Sequence, residues 1–179
     1  MLFLEVSVLS FLIAFLRGGR LKPDPELRQM WVAPVSFVLQ EVNYFWVPSY
    51  LNVPVTVIAY GLLFYFAWVN MENQGVRFIL IGMLLNAVVI MSNGGRIPVD
   101  LSVASRIGVD VEQLVHGVAA KHAALTSASH LKFLGDVIPV RYPVPRIISV
   151  GDIFAFIGTF LLVQDLMGKR ITIRPEEQR

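Results

Sequence analysis

The chain contains no cysteine. That excludes disulfides, thiolate metal sites and cysteine nucleophiles, and leaves the compartment open. Charge is also scarce: 16% of the residues are Asp, Glu, Lys or Arg, against roughly 25% in an average soluble domain. The net charge is only +2 and no basic run interleaves with aromatics, so no nucleic-acid partner is expected. The chain has neither a Walker-type phosphate loop nor a dinucleotide-binding glycine triplet. Serine and histidine form no recognisable triad, which counts against hydrolysis. The three histidines, His116, His122 and His130, all fall between positions 93 and 146. His116 and His122 are six apart, not the four that would place two ligands on one helix face. No metal and no cofactor is therefore expected. There is no internal repeat and no low-complexity segment.

What is abundant is apolar surface. Hydrophobic residues make up 55% of 179 positions, with mean hydropathy +0.64. This composition predicts an all-α integral membrane protein, a single domain of about five transmembrane helices at 1–16, 30–47, 53–70, 78–92 and 147–166. A long non-cytoplasmic loop follows over 93–146. In the first span the basic residues Arg17, Arg20, Lys22 and Arg28 come after the apolar stretch, the reverse of a signal peptide. Gly18-Gly19 and Pro23-Asp24-Pro25 end that helix. Trp31 and Trp46 flank the second span, where such rings anchor. With the N-terminus outside, nine Lys and Arg fall on the inner side and six on the outer. The positive-inside rule therefore favours an outer N-terminus and a cytoplasmic C-terminus.

The loop has its own pattern. Asp100 caps a short helix ending by Gly108. Asp110 with Gln113 reads as a capping box. Val111, Leu114, Val115, Val118, Ala119, His122 and Leu125 share one face of an amphipathic helix. This helix lies in the membrane interface or packs on the bundle ends. His122, on the apolar face, reads as a packed, hydrogen-bonded histidine. Pro139, Pro143 and Pro145 predict an irregular end.

Several polar residues fall inside the expected spans. Gln40 and Asn43 share a face with Ser36, with Glu41 beside them; Asn86 lies mid-span on a face with Gly82 and Asn93. In hydrocarbon such groups turn inward and find partners. They read as interhelical hydrogen bonds, as an ion or proton path centred on Glu41, or as a surface for a partner helix. Gly151, Ala155 and Gly158 line one face of the last span and allow close backbone approach, within the chain or to another subunit.

Three segments look specified: Asn93-Gly94-Gly95-Arg96-Ile97-Pro98-Val99, Phe133-Leu134-Gly135-Asp136-Val137-Ile138-Pro139 and Ser149-Val150-Gly151-Asp152-Ile153. With Arg17-Gly18-Gly19-Arg20, they resemble an uncharacterised bacterial multi-pass membrane-protein family of unknown function. The order and spacing fit nearly the whole chain; Ile97 stands where methionine is expected. The resemblance implies a short, apolar protein of about five spans in the bacterial inner membrane, and it implies no activity.

The chemistry of these segments is readable without the family. Asn-Gly-Gly permits a tight exit from a helix with positive φ. Ser149 and Asp152 form a capping box, with the aspartate suited to the helix dipole. Asn93, Arg96, Asp136 and Asp152 form the candidate outer polar cluster. Arg96 either bridges the aspartates and pins the loop, or holds a phosphate or carboxylate with an aspartate as base. Three functions follow. The first is a non-enzymatic accessory or scaffold subunit of a membrane complex. The second is an enzyme or binder acting on a lipid head group. The third is a small ion or solute transporter, for which five spans without repeat symmetry are a poor fit. Membrane lipid is the expected partner, with other membrane subunits or a homo-oligomer beside it.

Overall fold

A computed structural model describes residues 2–46, 51–112, 122–169 and 171. The long helices are α1 (Leu2–Leu16), α2 (Val32–Trp46), α3 (Asn52–Val69), α4 (Gln74–Ser92) and, at the end, α6 (Val150–Leu166). Between α4 and α6 lie β1 (Ile97–Val99), the short α5 (Leu101–Arg106), β2 (His122–Ala124), a 3-10 turn (Lys132–Leu134), β3 (Ile138–Val140) and β4 (Arg146–Ile148).

The expectation of an all-α protein with five spans is not met. The fold is mixed, with two small two-stranded sheets. Among the described residues one helix, Gln74–Ser92, is long and apolar enough to cross a membrane. For α1 and α2 the reason is length. At 1.5 Å per residue the 15 residues of α1 or α2 reach about 22 Å, short of a hydrocarbon core of about 30 Å. Hydropathy also misplaced two boundaries. The span expected from 147 begins at Val150, because Arg146–Ile148 pairs antiparallel with Ile138–Val140. The span expected from 78 begins at Gln74, because the Asn73 side chain accepts from Val76 N at 3.2 Å and caps the helix one turn earlier.

The loop corrections have physical causes too. Most of the expected amphipathic helix, residues 113–121, lies outside the described residues, Gln113 included. Its last part is strand: His122–Ala124 runs parallel to Ile97–Val99, with Ile97 opposite His122. A backbone ladder with a distant segment overrides local periodicity there. Pro139 sits inside β3 without penalty, since a two-stranded ribbon leaves an edge where no N–H is needed. Asp100 does cap α5, and its side chain accepts from Ser102 N at 2.9 Å and Val103 N at 3.1 Å.

The chain divides into two compact units. The first holds residues up to Leu80 and from Phe156 onward. Its larger core gathers Val32, Phe66, Ala67 and Val76, and a smaller one gathers Ala14, Val163 and Met167. Polar bonds fasten its segments. Gln164, fully buried, accepts from Arg17 Nη1 at 2.6 Å and donates to Ser10 O at 2.9 Å. Asn70 bonds both the N–H and the C=O of Arg28, at 2.7 and 2.8 Å. Asp165 takes Lys22 Nζ at 3.0 Å and Asn73 Nδ2 at 2.8 Å. The second unit, Ile81–Ala155, packs Val89, Ile97 and Leu134 as its core.

Candidate functional site

The polar residues singled out in the sequence concentrate in the second unit. Around Gly151 the construction starts from close helix approach. A Cβ on Gly82 would collide with Gly151 O and lie 2.8 Å from Ala155 N. A Cβ on Gly151 would overlap the Asn86 amide oxygen. The two glycines therefore admit Asn86 to the start of α6. There Asn86 Nδ2 donates to Asp152 Oδ1 at 3.0 Å, and Asn86 Oδ1 accepts from Ser149 Oγ at 2.9 Å. The capping box is reciprocal: Asp152 N donates to Ser149 Oγ and Ser149 N to Asp152 Oδ2, both at 3.0 Å. Every side-chain oxygen and nitrogen of this triangle has a partner from the other two residues.

The second Gly-Asp pair follows the same logic. Gly135 presses against Pro98 O, where a Cβ would not fit. That approach lets Asp136 bridge Val99 in parallel, with Asp136 N donating to Pro98 O at 2.9 Å and Asp100 N donating to Asp136 O at 3.0 Å. β1 is thus held by β2 on one side and by Asp136 on the other. Asp136 is buried, with Oδ2 3.2 Å from His122 Nε2. Its Oδ1 is buried and has no hydrogen-bond partner among the described residues. Burial pushes the Asp136 carboxyl above the usual carboxylate range, the hydrogen bond and charge of His122 pull the other way, and the nearby Asp152 charge adds to the rise. His122 as the partner of Asp136 was not legible in the sequence, because the two are brought together only by their common neighbour β1.

The remaining candidates are placed differently. Asn93 closes the exit from α4: its Oδ1 accepts from His130 N and its Nδ2 donates to His130 O, each at 2.9 Å. Gly94 and Gly95 take φ of +68° and +86°. Arg96 is exposed, and among the described residues no ion pair joins it to Asp136 or Asp152. The side chains of Gln40, Glu41 and Asn43 lie outside the described ones. Among the described residues no group of three or more His, Asp or Glu side chains could hold a metal ion.

The cluster makes one pH-dependent prediction. A carboxyl held above its unfolded value binds more protons in the folded state. Its stabilising effect is therefore complete in acid, below the unfolded value, and is lost as pH rises through the folded one. Asp136→Asn keeps the shape and removes that loss. Unfolding midpoints of the two chains followed against pH are expected to lie close in acid and to separate as pH rises, with the variant higher. Parallel curves across the whole range would show that Asp136 contributes no such linkage.

An uncharacterized protein of Thermotoga maritima is 29% identical to this chain over 161 residues, covering 88% of each. No solved structure matches it. The profile described as a family of unknown function, DUF5317, matches residues 24–164, and the chain belongs to that family, an uncharacterised one as the resemblance implied.

Proposed function

We propose that this chain is a small membrane-embedded protein without chemistry of its own, an accessory or scaffold subunit of a membrane complex. The observation that carries the reading is an inverted helix surface. In α1 the residues turned inward are Ser10 and Ala14, at 2% and 0% exposure, while Leu9, Leu12, Phe15 and Leu16 are all exposed, Phe15 at 68%. In α2 and α3 the small residues Ser36, Ala59 and Ala67 are buried beside Val32 and Phe66, and Val38, Val57 and Trp68 are exposed. Ser36 Oγ donates to Ala59 O at 2.7 Å. Small residues and satisfied polar groups inside, with large apolar ones outside, suit an apolar surrounding. In water so much exposed apolar helix surface calls for a cover. For α4, the helix long enough to cross, only 22% of the apolar stretch is buried.

The placement is tested by washing native membranes with alkaline carbonate. The chain is expected to stay in the pellet. Leu9→Lys with Leu12→Lys should release it or prevent its accumulation. In lipid each lysine costs about 2.5–3.5 kcal/mol, whereas exposed substitutions in water shift stability by about 0.5 kcal/mol at most. A wild-type chain found in the wash would sink the membrane reading. The subunit role is tested by purification in mild detergent and mass spectrometry of co-migrating proteins. A stoichiometric partner is expected; a chain that purifies alone overturns the subunit role and leaves the membrane placement standing.

A further inference from the structure

In the second unit, two short segments are clasped side by side. Asn93 holds both backbone groups of His130 at one end. At the other end Asp136 N donates to Pro98 O at 2.9 Å. The chain runs in the same direction through both, so Gly94-Gly95-Arg96 and Leu131-Lys132-Phe133 lie between the same two clasps. All six residues are exposed, Phe133 at 66%. The backbone is turned in both segments: Gly94 and Gly95 have positive φ, and so does Leu131, at 48°. A Cβ on either glycine would meet nothing within 4 Å, so the space before them is open.

The chemistry of this rim is specific. It presents two cations, Arg96 and Lys132, beside two apolar side chains, Leu131 and Phe133. Among the described residues neither cation has an ion-pair partner. The carboxylate that follows in the second segment, Asp136, is buried and faces His122. Just before the rim, α4 exposes Ile81, Leu84, Val88 and Met91, spaced as one helical stripe that ends on Met91 at 72% exposure. An apolar helix stripe leading into a ring and two free cations matches the order of hydrocarbon, interface and phosphate in a bilayer leaflet.

We propose that Arg96 and Lys132, with Phe133 between them and the acyl layer, form a contact for the head groups of anionic phospholipids. This rests on the membrane placement above and adds to it a lipid preference. Arg96 offers planar donors to phosphate oxygens, and Lys132 adds a mobile point charge. Near a membrane surface each such cation is worth about 1 kcal/mol with acidic lipid, a factor of about five.

The test is native mass spectrometry of the full chain in detergent, with phosphatidylglycerol and phosphatidylcholine added in equal amounts. Wild type is expected to retain phosphatidylglycerol preferentially. Arg96→Gln and Lys132→Gln should each lower that preference about fivefold and together about twenty-five-fold. Both positions are exposed, so the variants should still stay in the carbonate-washed pellet. Equal retention of the two lipids by wild type, or an unchanged preference in the double variant, overturns the head-group contact even where the chain remains membrane-bound. Release of phosphatidylglycerol by millimolar inorganic phosphate would mark a free-anion site and overturn the lipid assignment as well. Loss of wild type into the carbonate wash would instead be a failure of the membrane placement itself.

Discussion

Gly82→Ala is expected to lower the stability of the chain by about 3 kcal/mol or more, the upper end of overpacking penalties. The added methyl would meet Gly151 O and Ala155 N, and both are backbone atoms held by their own helix. A flexible side chain would swing away; these cannot move without displacing the start of α6. That displacement would also separate Asn86 from Ser149 and Asp152, since Gly151 sits between them. The same substitution at Gly61 is the control. Gly61 lies inside α3, with nothing within 4 Å of its Cβ position. Gly61→Ala should stabilise by about 0.5–1 kcal/mol, because alanine surrenders less backbone freedom in a helix. Thermal unfolding of the two variants in the same detergent checks both signs. A Gly82→Ala chain that melts with wild type would mean that the helices do not approach as closely at this point as the geometry requires.

Asp152→Ala is expected to cost about 2–4 kcal/mol. The carboxylate accepts two charge-assisted bonds, from Asn86 Nδ2 and from Ser149 N, each at 3.0 Å. Hydrogen bonds to a charged group contribute about 1.5–3 kcal/mol each, and a partner left buried without a bond loses its solvation as well. Ser149 is fully buried, so its N–H has no ready access to water. The aspartate also lies in the first turn of α6, where a negative charge is favourable. Asp152→Asn separates these contributions: it keeps one acceptor oxygen and removes the charge. An intermediate loss is expected for Asn, measured by chemical unfolding with the Ala variant alongside. If Asp152→Ala unfolded at the wild-type midpoint, the triangle with Asn86 and Ser149 would be ornamental to stability.

Much of the local chemistry was readable from residue types. Ser149 and Asp152 stand three apart before an apolar run, and the structure pairs them reciprocally. Asp100 precedes α5 and caps it. Asn93-Gly94-Gly95 ends α4 with two positive φ values, as residues without steric cost there should. Each of these signals is contained within a few residues, so no distant partner is needed to decide it. The number of spans was not readable in the same way. Hydropathy registers apolar composition, and the composition of α1 and α2 is apolar, but it does not register where a helix stops. The ends were set by Asn73, by the pairing of Arg146–Ile148 and by turns that hydropathy ignores.

By itself, then, the sequence determined the helix caps, the glycine turns, the absence of thiol chemistry and the dominance of apolar side chains. All of these depend on residue type or on neighbours within one or two helical turns. The tertiary structure alone decided that His122 ends up as strand and reaches Asp136, because both lie against β1 from opposite sides. It alone decided that Arg96 is exposed and, among the described residues, forms no ion pair with the aspartates. Such pairings depend on which distant backbones share hydrogen bonds, and no local pattern of residues encodes that choice.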